Sequence, residues 1–149
     1  MTQKERAIAD LHDARKAIDE VFAPIPDSAL AWLKPGDDYA LGGIVIHLIQ
    51  SLDGYIGTLE ALHAAGYRDT AGPAEDESVV DAGLAHARLG LAPRERRPKF
   101  EEMAEKQETL GRLASRADDE QFTRLVGVRY PGDDVPHVRD LFAQWQTAR

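Results

Sequence analysis

Apolar residues from Ile8 through Leu11, Ile18, Val21 and Phe22, with Ala7 and Ala14 between them, recur at helical spacing and stop at Pro24 and Pro26. The spacing predicts a first helix over about 3–22. Asp27 is placed to cap a short turn through Ser28, Ala29, Leu30 and Trp32, and Pro35-Gly36-Asp37-Asp38 reads as a turn at which the chain reverses. A second helix, about 39–65, carries Leu41, Ile44, Val45, Leu48, Leu52, Tyr55, Leu59 and Leu62 as one apolar stripe and stops at Gly66. Beside that stripe runs a line of small or lightly polar residues, His47, Ser51, Gly54, Thr58 and Ala61, suited to close approach of another helix.

Residues 67–77 are polar and broken by Gly-Pro, which predicts a loop. A short helix over about 79–91 follows, with Gly83 and Gly90 as weak points. Pro93 and Pro98 then bracket a basic connector, Arg94-Glu95-Arg96-Arg97. The third long helix is expected to start near Pro98 and to bury Phe100, Met103, Ala104, Gln107, Leu110, Leu113 and Ala114. Only 122–130, where Val126, Val128 and Tyr130 alternate with Gly127 and Arg129, has the pattern of an extended segment. Asp134 and Pro136 open a last helix with Val138, Leu141, Phe142 and Trp145 facing the core. Three long helices, shorter ones and no repeat make the expectation an all-α, bundle-like fold, and 149 residues form a single domain able to bury roughly 70% of the surface of the unfolded chain.

Composition narrows the function. The chain has no cysteine, which excludes disulfides, thiolate metal sites and thiol nucleophiles. Eighteen Lys and Arg against 26 Asp and Glu leave a formal charge of -8, the wrong sign for a nucleic-acid partner. The longest apolar run, Ala29-Leu30-Ala31-Trp32-Leu33, is far too short to cross a bilayer and the first residues lead into no apolar leader, so no membrane partner and a cytoplasmic location are expected.

Five histidines are present, but no two of them stand in a His-x-x-x-His or His-x-x-His arrangement, so a metal would need its histidines gathered singly from different elements. His47, mid-helix on the small-residue flank, is the foremost candidate metal ligand, with a satisfied interior histidine as the plain alternative. His137, in the first turn of the last helix, is the second. His12 and His63 read as exposed or structural, and His86 lies on an element whose faces cannot be assigned from spacing. The acidic face Glu101, Glu102, Glu105 and Glu108 is interleaved with Lys99, Lys106 and Arg112, as on a solvated helix side. Arg94, Arg96, Arg97 and Lys99 could receive an anionic ligand or stand solvated in a connector. Gly42-Gly43 lacks the strand and the Lys-Ser/Thr of a phosphate loop, and no serine has the setting of a nucleophile.

Two stretches resemble the DinB/YfiT-like family of four-helix bundles, which includes thiol-dependent transferases. Ile25-Pro26-Asp27-Ser28-Ala29-Leu30 and Pro35 through Leu48, containing Gly42-Gly43-Ile44-Val45-Ile46-His47, are similar to its first connector and the histidine-bearing start of its second helix. Leu110 through Phe122, Tyr130-Pro131-Gly132 and Val138-Arg139-Asp140-Leu141-Phe142 are similar to its third helix, irregular crossover and final helix. The resemblance implies a DinB-like bundle over 1–149 and a divalent metal, such as Ni, Zn or Mn, held by one histidine on the second helix and a His-x-x-x-His pair on the last. By position His47 is the first ligand. The pair would begin near Ala148 and run past Arg149, so the metal site is expected to be incomplete, with the metal weakly held or lost, or else rebuilt from His137 or Asp140, or else the sequence is a shortened form of a longer chain. The resemblance therefore leaves three functions open: a bundle with weak or absent catalysis, a working metal- or thiol-dependent transferase or hydrolase acting on a small molecule through His47 and His137, and a structural or partner-binding bundle. A homodimer joined along the small-residue line fits the last reading.

Overall fold

Thr2 begins α1 (Gln3–Phe22) by a reciprocal cap: its hydroxyl accepts from Glu5 N at 3.1 Å and its own amide donates to the Glu5 carboxylate at 3.2 Å. A 3-10 turn (Asp27–Ala29), α2 (Gly43–Ala64), α3 (Glu77–Leu89), α4 (Pro93–Arg116) and α5 (Asp134–Ala148) follow. This is a computed structural model, and it describes residues 2–66, 76–117, 120, 131 and 133–148. Among them the chain is all-helical. The expected extended segment at 122–130 and the crossover around it lie outside the described residues.

Helix α2 packs against α3 and α4, and α1 packs against α4 and α5. Ile18, Phe22, Leu30, Leu41, Ile44, Leu48, Leu52, Leu91, Met103 and Leu141 are buried almost completely in one core. Each such aliphatic or aromatic side chain contributes on the order of 2 kcal/mol through removal from water. Phe22 and Phe100 meet edge to face, with ring centroids 5.2 Å apart at 79°, and tie the end of α1 to the start of α4. No helix among the described residues is long and apolar enough to cross a membrane.

The second helix begins at Gly43 rather than near residue 39. The backbone before it is committed sideways: Ala40 N donates to Ala87 O at 2.9 Å, Leu41 N to Trp32 O at 2.8 Å and Gly42 N to Leu30 O at 2.9 Å. Leu30 O also accepts from Leu91 N at 3.2 Å, so three separate stretches are knitted together there. Helical spacing cannot register these bonds, because Leu41 stays buried whether or not its backbone is helical.

Along the line of small residues on α2, Gly54 and Thr58 are exposed, and among the described residues a methyl group at Gly54 would meet nothing within 4 Å. Close approach occurs instead at Gly43, whose Cα sits over the backbone of Ala87, and at Gly83, which is covered by the Gln50 side chain. With 43 opposite 87 and 50 opposite 83, α2 and α3 run antiparallel. Gly90 takes φ +78° as α3 ends, a conformation that suits glycine.

The basic stretch is not a connector. Helix α4 starts at Pro93, where the missing N–H costs nothing, and Glu95 accepts from Ala92 N at 2.9 Å. Pro98 therefore lies inside the helix instead of opening it, and leaves the Arg94 carbonyl without its usual helical donor. Arg96 faces back across the molecule and donates to Ile25 O at 2.6 Å, Phe22 O at 3.0 Å and Asp27 Oδ1 at 3.0 Å. It closes the C-terminal end of α1, where a cation is favoured. Asp27 serves that contact rather than capping the turn, which has no side-chain cap.

Candidate functional site

The side chains that bring chemistry together lie where the connector after the 3-10 turn, the start of α2 and the start of α5 meet. His47 occupies the second turn of α2 and is half-buried because Ile46 and Leu48 on either side are fixed in the core. Its ring stacks on Tyr39, with centroids 5.0 Å apart and planes at 22°. The departure of 39–42 from helical geometry makes this contact, since residues eight apart on one helix are separated by two full turns.

Helix α5 supplies Asp134 and His137. Val138, Leu141 and Trp145 anchor it in the core, with Asp134 half-buried in its first turn and His137 on the rim, its side chain 48% exposed. Burial holds the Asp134 carboxyl above the ordinary aspartate range; the imidazoles of His47 and His137 pull it down, and Asp133 adds to the rise. Both histidines are thus within electrostatic reach of one half-buried carboxyl. Asp37, from the turn at 35–38, places Oδ2 3.7 Å from His137 Nε2. That oxygen is shielded from solvent and accepts no hydrogen bond among the described residues.

His47 and His137, the two expected ligands, are therefore brought to the same end of the molecule. Asp140 is exposed and is not among the groups acting on Asp134. Ala148, where the family pattern would place the first histidine of its pair, is exposed near the end of α5. Two imidazoles and two carboxylates are a donor set that divalent cations accept. Yet among the described residues no three His, Asp or Glu side chains converge closely enough to hold one.

Sequence reasoning missed Asp37 and Tyr39 as site residues and treated Asp134 only as a helix opener. Turn composition alone accounts for Asp37. Helical spacing carries Tyr39 into a helix whose observed start is Gly43. The other histidines fall elsewhere: His12 and His63 are exposed, and His86 Nε2 lies 2.9 Å from Glu95 Oε2, joining α3 to the start of α4. The acidic side of α4 is a solvated face with ion pairs, Lys99 to Glu102 at 3.0 Å, Arg97 to Glu101 at 2.9 Å, and Lys106 to Glu102 at 3.5 Å. Lys106 also pairs with Asp53 of α2.

The chain matches no family model, and neither a curated protein nor a solved structure is significantly similar to it.

Proposed function

We propose that this protein is a DinB/YfiT-like helical bundle, α1, α2, α4 and α5 being its four long helices, whose divalent-metal centre is incomplete. What supports the reading is that His47 of α2 stacks on Tyr39, next to the turn whose Asp37 lies 3.7 Å from His137 of α5, so the two histidines stand at one end of the molecule without closing on a common ligand position. One ligand position comes from the second helix, as in the family pattern, while the last helix offers a single histidine at its start instead of a spaced pair. Such a set would bind a cation weakly and support little or no metal-dependent catalysis. A second reading, a transferase or hydrolase acting on a small molecule through His47 and His137, is supported by the Asp37 carboxylate, whose solvent-shielded Oδ2 lies 3.7 Å from His137 Nε2.

Paramagnetic Mn2+ added in small amounts to protein labelled for NMR tests the first reading. Resonances of His47, His137 and Asp134 should broaden before all others and recover on chelation. Broadening centred on the acidic side of α4 would overturn it.

A further inference from the structure

A second opening, sharing no residue with the His47 site, lies between the end of α1 and the first turns of α4. It is a cleft of about 390 Å³, near the lower end of the range for small-molecule sites. Phe22, Phe100 and Pro93 give it apolar walls. Arg96, Arg97, Asp19 and Asp27 give it charges of both signs.

The charges are not equivalent. Arg96 is fixed at three points, through Nη1 to Ile25 O and Asp27 Oδ1 and through Nη2 to Phe22 O. A guanidinium has five donors, so the Nε proton and one Nη2 proton are left over on a group that is already held in place. Asp27 is consumed by Arg96. Arg97 reaches only Glu101, one turn along α4, with its side chain 89% exposed, and such a surface pair is easily exchanged for a better partner. Asp19, exposed on α1, has no ion pair among the described residues. What remains on offer is therefore guanidinium donors on one side, one carboxylate on the other, and an apolar surface between them.

We propose that this cleft binds a small zwitterion of the amino-acid class with an apolar or aromatic side chain. Its carboxylate takes the remaining donors of Arg96 together with Arg97, its ammonium pairs with Asp19, and its side chain lies against Phe100 and Pro93. A simple anion would meet the Asp19 and Asp27 carboxylates, a simple cation would meet two guanidinium groups, and a neutral apolar molecule would desolvate charges without pairing them.

The test is an amide NMR titration with phenylalanine as the probe, beside phenylpropionate, which lacks the ammonium, and phenylethylamine, which lacks the carboxylate. Phenylalanine should give saturable shifts around Ala23, Arg97 and Phe100 with a dissociation constant of about 1 mM, as expected for a ligand of this size in an open cleft. Each partial analogue should bind about tenfold more weakly. Asp19→Asn and Arg97→Gln, both on exposed side chains and so leaving the fold intact, should each weaken phenylalanine binding several-fold. No saturable shift at those amides overturns the proposal, as does equal binding of all three probes or binding indifferent to both substitutions.

Discussion

The spacing of α2 and α3 rests on one glycine, and replacing it should reverse the usual effect of Gly→Ala in a helix. A Cβ at Gly43 would stand 1.8 Å from the Ala87 carbonyl oxygen and 2.6 Å from its carbonyl carbon. Ordinary contact begins near 3.4 Å, so the backbones must part by about 1.6 Å, and no flexible side chain can absorb that shift. The same carbonyl accepts from Ala40 N at 2.9 Å, a bond that separation breaks, leaving a buried acceptor unpaired. Overpacking at about 1–3 kcal/mol and an orphaned acceptor at about 1–3 kcal/mol together outweigh a helix-propensity gain of at most about 1 kcal/mol. Gly43→Ala should therefore lower the unfolding free energy by about 2–4 kcal/mol. Gly54→Ala, in the middle of the same helix with open space around it, should raise it by about 0.5–1 kcal/mol. Urea unfolding followed by far-UV circular dichroism, with similar denaturant slopes for the three proteins, reads both. Equal stability of Gly43→Ala and wild type would refute the reasoning.

Arg96→Met should cost about 2–3 kcal/mol, because two carbonyls at the end of α1 and Asp27 lose a charged donor, and Arg96→Lys should not restore it, since one ammonium cannot span three acceptors; full rescue by lysine in thermal unfolding would contradict this. Pro98→Ala should stabilise by about 1–2 kcal/mol, since the Arg94 carbonyl regains its helical donor at some expense in unfolded-chain stiffness; a drop in the urea midpoint would show that α4 depends on its proline. The Glu95 carboxyl is held below its ordinary pKa of 4.5, mainly by the Ala92 amide, with His86 also lowering it. A depressed carboxylate pKa contributes stability that is present above about pH 4.5 and is lost as the pH falls through the folded-state value. Glu95→Ala should therefore lie below wild type in stability at neutral pH and converge with it in acid, and a gap that widens below pH 4 in urea titrations would reverse the sign.

Where burial and backbone pairing agree, spacing was enough to read the structure. Helix α1 falls at Gln3–Phe22, α5 opens at Asp134, and Met103, Gln107, Leu110 and Ala114 line the inner face of α4 as their spacing requires. The errors arise where two physical signals point the same way for different reasons. Leu41 is buried both as a helical residue and as the lateral donor to Trp32 that it is, so the stripe ran too far back. Pro98 and Pro93 are each acceptable as a first helical residue, and the reciprocal contact of Glu95 with Ala92, visible only in three dimensions, decides for Pro93. Gly54 is small enough for close approach yet has no neighbour within 4 Å among the described residues, whereas at Gly43 the sequence setting shows only the lack of a phosphate loop and the close contact with Ala87 is visible only in three dimensions. In the candidate site His47 and His137 carry their chemistry in their residue type. Asp37 and Tyr39 join them only through the turn and the non-helical stretch at 39–42, which no periodicity encodes.

Metal retention tests the incomplete-centre reading most directly. Purified, tag-free protein would be loaded separately with nickel, zinc and manganese, dialysed, and its bound metal counted by mass spectrometry, in parallel with His47→Ala and His137→Ala. The expected result is a small fraction of one metal per chain for every ion, with weak binding in undialysed samples that both substitutions abolish. Close to one metal per chain surviving dialysis would contradict the incomplete centre, and weak binding untouched by either substitution would contradict the convergence of His47 and His137 on a common site.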